Sequence, residues 1–121
     1  MNIELSRFRV KEGRSKTVDE WMAFLNENMS DVLLTLDGER MHVETIFREK
    51  SGDAEYLYWY SIQSEGGQTV AQSESWIDKR HLEFWDQCID NSSQVDMTMV
   101  VSMIPQRVLS AMNERRKHLS L

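Results

Sequence analysis

His81 is the residue of this chain best placed for chemistry, because it falls where an apolar side chain would pack more easily. Ile77, His81, Phe84, Trp85 and Cys88 follow one another at i, i+4, i+7, i+8 and i+11, a single stripe of a helix. Burial on such a stripe disfavours the charged ring, so a neutral imidazole with one donor and one acceptor is expected. Two readings follow. A core histidine would be satisfied by a backbone carbonyl or a strand hydroxyl; a pocket histidine would act as a base or orient a bound group.

A second set lies on a strand over residues 40–49, where His42, Glu44 and Arg48 share a face with Ile46. If the hairpin loop is Ser51–Ala54, Lys50 opposes Glu55 and the same face receives Trp59 and Leu57. A His, a Glu and an Arg beside a Trp suit an oxygen-rich aromatic ligand, with His42 or Glu44 handling a proton. The same residues equally make a charged ladder at a protomer interface or on an exposed sheet edge. A slip of one residue in register would split them. The candidate pocket is therefore Trp59, Tyr58, Trp76, Trp85, Glu44 and Arg48, with His81 and His42 as the catalytic candidates.

Other reactive side chains carry less. Tyr56, Tyr58 and Tyr60 supply three hydroxyls, which is also what an aromatic-rich sheet supplies by packing. Cys88 on the buried stripe reads as a small apolar filler. The acidic residues show no metal or glycosidase spacing, and no Cys/His spacing suits zinc. Gly66-Gly67 lacks the Lys of a phosphate loop and reads as a hinge or short lid. No cofactor is called for by these residues.

The elements that must position them follow from periodicity. Residues 2–10 form a strand, and Thr17 with Glu20 makes a capping box for a helix carrying Val18, Trp21, Met22, Leu25 and Met29. That helix runs on through Val32 and Leu33, or restarts at Ser30, and stops at Asp37-Gly38. Residues 55–63, EYLYWYSIQ, form a strand with large apolar groups on both faces. Ser75 and Asp78 open the second long helix, residues 95–104 form a fourth strand, and Pro105 begins a terminal helix with Arg115 to His118 near its negative end.

The order β-α-β-β-α-β, with right-handed crossovers between parallel neighbours, gives an α+β, ferredoxin-like sheet with both long helices on one face. The domain occupies residues 1–104, and residues 105–121 form a C-terminal helix packed on it or on a partner protomer. The helices cover one sheet face only. The other, with aromatics worth about 150–250 Å² each, exceeds the roughly 300–600 Å² apolar patch a monomer exposes. A second copy laying its own sheet there predicts a twofold homodimer, unless the C-terminal helix covers the face instead.

Composition bounds the partners. Across 121 residues, fourteen basic against twenty acidic residues give a net charge of −6, which argues against a nucleic-acid surface. No apolar run approaches the ~18 residues of a membrane span, and the amino terminus lacks the pattern of a secretory signal. A cytoplasmic protein with one free cysteine is expected.

The segments ETIFRE (44–49), EYLYWYSIQ (55–63) and SWIDKRHLEFW (75–85) resemble a bacterial family known only as a domain of unknown function. The layout is similar to the dimeric α+β barrel superfamily, which includes antibiotic-biosynthesis-type monooxygenases. The resemblance implies a ligand pocket between the sheet and the helices of one protomer. It leaves three activities in view: a cofactor-independent quinol-type monooxygenase, a non-catalytic interaction module, and a haem-binding or haem-degrading protein. For the last, His81 would be the ligand and Trp76 the upstream tryptophan. The Trp76–His81 spacing is shorter than that pattern, and Ser6 and Arg7 stand where those enzymes use an asparagine.

Overall fold

In chain order the elements are β1 (Asn2–Val10), α1 (Ser15–Glu27), α2 (Met29–Glu39), β2 (Met41–Ser51), β3 (Ala54–Gln63), α3 (Trp76–Cys88), β4 (Ile89–Asp96) and α4 (Gln106–Ser120). The computed structural model describes residues 1–120, and their side chains through 113, so the basic run Arg115 to His118 lies outside the described side chains. The four strands form one sheet in the order β2-β3-β1-β4, with every neighbouring pair antiparallel. Strands β1 and β2, linked by the first crossover, are parallel but not neighbours, because β3 lies between them. The ferredoxin-like arrangement stands; the parallel neighbours do not.

The two-residue alternation of β3 decides which side chains meet the helices. Leu57 is fully buried and Trp59 packs beneath α1 and α3, while Tyr56, Tyr58 and Tyr60 occupy the opposite face. The hairpin pairs Lys50 with Glu55 and Ser51 with Ala54, around Gly52 at φ 61°. Phe8 and Val10 of β1, Val18 and Trp21 of α1, and Phe84 and Cys88 of α3 complete the core. Burying an apolar side chain of this size is worth about 1.5–3 kcal/mol, so the helix face of the sheet supplies most of the cohesion.

Several boundaries differ from expectation. Helix α1 starts at Ser15, and no side-chain cap forms at its flanking residue Arg14. The Thr17–Glu20 box is overridden by a tertiary contact: Arg48 of β2 donates to the Ser15 carbonyl and hydroxyl at 2.9 and 3.0 Å. The helix then breaks at Asn28, whose side chain donates to the Phe24 carbonyl at 2.8 Å in competition with the helical ladder. Helix α2 passes through Gly38 and ends at Glu39, where Arg40 takes the left-handed conformation at φ 55°.

The fourth strand is the largest correction. It occupies Ile89–Asp96, directly after α3, and residues 97–104 have no regular structure. The polar run Asp90–Gln94 reads as a loop by propensity, but an edge strand tolerates it. Ser93 Oγ accepts from the Arg9 backbone at 2.8 Å, where the β1–β4 ladder shifts register. The apolar residues expected inside a strand are instead exposed, Val100 by 91% and Met103 by 85%.

Candidate functional site

A cavity of about 700 Å³ lies between the helix face of the sheet and helices α1 to α3. Its walls are mainly apolar, with Leu25, Ile46, Trp59 and Trp85 among them, and its polar groups include Glu39, Glu44, Asp78 and His81 together with Ser61 and Gln63. A mainly apolar cavity with a few convergent polar groups is the usual form of a small-molecule site.

His81 is held by a group that the stripe pattern did not single out. The Trp21 indole Nε1 donates to His81 Nδ1 at 3.0 Å. An indole nitrogen only donates, so Nδ1 accepts and the proton of the neutral ring is on Nε2. Burial lowers the His81 pKa, with Asp78 opposing it. The expected carbonyl or strand hydroxyl is not the partner. Trp21 and Trp59 sit 5.4 and 5.8 Å from the imidazole, and Trp85 lies 5.2 Å from Trp59.

Four carboxyls line the space, and three of them, Glu39, Glu44 and Asp78, act on one another. Burial raises the Glu39 pKa from 4.5 to about 7, helped by Glu44 and Asp78. Burial also raises that of Glu44, with Trp59 working in the opposite direction and Asp78 in the same one. Asp78 is 5% exposed and its Oδ2 has no hydrogen-bond partner. Among the described residues, no three of the His, Cys, Asp and Glu side chains converge closely enough to hold a metal ion.

The loop after β3 builds the far wall. An added Cβ at Gly67 would stand 2.0 Å from the Glu39 carbonyl oxygen, so only glycine allows this approach. Ser64 donates to the Arg40 carbonyl, and Gln68 to that of Gly38, each at 2.9 Å. Gly66-Gly67, expected to be a hinge or lid, packs against the end of α2 in this structure, Gly67 at the Glu39 carbonyl and Gly66 beside the Arg40 side chain.

Of the eight residues expected to form the site, Glu44, Trp59, His81 and Trp85 line the cavity. The other four stand elsewhere. The β2–β3 ladder shifts register between Met41 and Val43; Met41 lines the cavity, whereas His42 Nε2 lies 2.6 Å from Ser64 Oγ. The register from Glu44 to Ser51 is the expected one, and a local bulge at His42, not a slip of the strand, removes it from the Glu44 face. Arg48 is engaged by Asp19 and Glu55, tying the hairpin to α1. Tyr58, on the other sheet face, donates to Glu49 at 2.8 Å. Trp76 is 57% exposed and packs edge-on against Phe24.

Glu39, Asp78 and Trp21 are the site residues that motif reasoning passed over. Asp78 precedes His81 by three positions on one helix face, a spacing that does point to it. Glu39 follows the residues read as a helix stop, and no local pattern marks it.

An antiparallel sheet in this order, with helices on one face, defines a ferredoxin-like α+β protein, and a solved structure agrees. The chain is similar to the crystal structure of an L-rhamnose mutarotase from Formosa agariphila, with a TM-score of 0.54 and 12% identity over 86% of this chain and all of that one. Residues 1–110 match the model of a family described as a family of unknown function, DUF6176, and the chain belongs to that family. No curated protein matches it. No helix among the described residues is long and apolar enough to cross a membrane.

Proposed function

We propose that the protein binds a small organic molecule with an apolar or aromatic body in the cavity between its sheet and helices. The observation that carries this is the meeting of Trp59, Trp85 and a neutral His81 with the buried Glu39 and Asp78 and the half-buried Glu44 in one space of about 700 Å³. A saturation-transfer NMR screen of small aromatic and aliphatic compounds tests it. Hits are expected, and Val32→Trp, which fills the cavity from α2, should abolish them while the fold persists. A screen without hits removes the reading.

A catalytic version is supported by the carboxyl of Glu39, whose pKa is raised to about 7, in the same cavity as an imidazole free to donate from Nε2. Two chemistries use such a pair. Proton removal from a quinol or anthrone would serve a cofactor-independent monooxygenase, and oxygen uptake above an anaerobic control is the expected signal. Proton transfer at a sugar hydroxyl is the other, and the fold likeness to an L-rhamnose mutarotase supports testing it. Exchange between L-rhamnose anomers, followed by NMR, reads it directly. Equal rates with and without protein in both assays leave a non-catalytic binding or interaction module. Haem binding through His81 predicts a Soret shift that His81→Ala abolishes.

The working form in this proposal is a cytoplasmic homodimer joined through the sheet face opposite the cavity. Phe47 and Val95 are 58% and 40% exposed on that face, and Met99 to Met103 lie exposed beyond β4. Residues 105–121 then pack on the domain or on the partner protomer. Sedimentation equilibrium at low micromolar concentration is expected to give twice the chain mass.

A further inference from the structure

We propose that the ligand of this cavity is an organic cation, a protonated amine on an apolar or aromatic body, with its ammonium group seated among Glu39, Glu44 and Asp78. The inference rests on the reading of the cavity as a small-molecule site and adds the charge of its occupant.

Charge is distributed one way around the space. Glu4, Glu39, Glu44 and Asp78 line it, and no Lys or Arg does. The nearby cations are committed elsewhere. Arg40 donates to the Glu65 carbonyl at 3.2 Å, Arg48 pairs with Asp19 and Glu55, and Arg80 lies 4.0 Å over the Phe84 ring and pairs with Glu83. Buried carboxylates are costly without a compensating charge or donor. Asp78 is partly compensated by its place in the first turn of α3, yet its buried Oδ2 accepts nothing. An unpaired acceptor on the wall of a cavity is where a ligand donor fits.

Shape narrows the class further. The neighbouring Trp59 and Trp85 rings offer π faces, which attract ammonium groups within about 6 Å. An apolar wall opposite then accepts the rest of the molecule. A free sugar satisfies the hydroxyl-binding groups but leaves the negative charge uncompensated.

The groups that act on Glu39 are Glu44 from β2 and Asp78 from α3, and His81 from α3 and Glu4 from β1 line the same cavity. At acid pH the Glu39 carboxyl keeps its proton; near neutrality it is released, and a bound ammonium promotes that release. Affinity for an amine should therefore rise with pH, whereas a neutral ligand should show no such trend.

The test uses the full chain and three matched probes: 2-phenylethylamine, 2-phenylethanol and 3-phenylpropanoate. Each is titrated at millimolar concentration at about pH 6 and about pH 8.5, following the tryptophan indole signals by NMR. The amine is expected to bind about tenfold more tightly at the higher pH, from ionisation of one group near neutrality. Glu39→Gln and Asp78→Asn should each weaken the amine and spare the alcohol, with circular dichroism confirming that both fold. If the alcohol or the carboxylate binds as tightly as the amine, the charge assignment is wrong and the cavity reading stands. If none of the three binds, the cavity reading falls and takes this inference with it.

Discussion

Replacing Glu39 by glutamine should stabilise the protein at alkaline pH and leave it nearly unchanged in acid. The carboxyl is 8% exposed, and its pKa is raised from 4.5 to about 7 by burial and by Glu44 and Asp78. Between those values the folded chain keeps a proton that the unfolded chain has released. Stability therefore falls as pH climbs from about 4.5 to about 7 and changes no further above that on this account. At about 1.36 kcal/mol for each tenfold change in proton affinity, the displacement amounts to about 3 kcal/mol. Glutamine has the shape of the protonated acid and never ionises. Urea denaturation at matched protein concentration, followed by tryptophan fluorescence, should show the variant gaining about 3 kcal/mol near pH 8 and almost nothing near pH 4. An equal effect at both pH values, or a loss at pH 8, refutes the reasoning.

Other perturbations have expected outcomes of their own. Trp21→Phe removes the donor to His81 Nδ1; it should cost about 1–3 kcal/mol and move the imidazole nitrogen resonances away from a single tautomer. His81 contributes a pH dependence opposite in sign to that of Glu39. Its folded pKa lies below 6.5, so the stability it lends is present above that value and lost as pH falls through the folded pKa, and His81→Gln should flatten the acid limb of the stability curve. Gly67→Ala forces a Cβ onto the Glu39 carbonyl and should lower stability by more than about 3 kcal/mol in equilibrium unfolding. On the homodimer proposal, Phe47→Glu, which places a charge on the open sheet face, is expected to give the mass of one chain in sedimentation equilibrium without unfolding it.

What the sequence made legible was governed by local rules. The hairpin register follows from a tight turn, and Ser75 caps α3 as expected, its side chain accepting from the Ile77 backbone. Alternation in EYLYWYSIQ named the two faces of β3 correctly. Where distant groups decided the outcome, local rules failed. Arg48 reaching Ser15 displaced the start of α1, and pairing with β1 turned the polar Asp90–Gln94 run into strand. The bulge that removes His42 from the Glu44 face is set by strand pairing and leaves no mark on a two-residue alternation. Asp78 and Glu39 meet only because the Gly67 loop packs against the end of α2 while α3 crosses above the sheet. Four of the expected residues, Glu44 among them, were therefore readable, and Glu39 and Asp78 were not.

The four tryptophans provide the most direct measurement of the central claim, that the space beneath the helices is a ligand site. Trp59 and Trp85 line it, Trp21 stands behind His81, and Trp76 lies outside. In a titration of ¹⁵N-labelled protein with a compound found by screening, the indole signals of Trp59 and Trp85 are predicted to move together and saturably while that of Trp76 stays fixed. Movement confined to Trp76, or none at all with every compound tried, would contradict the account.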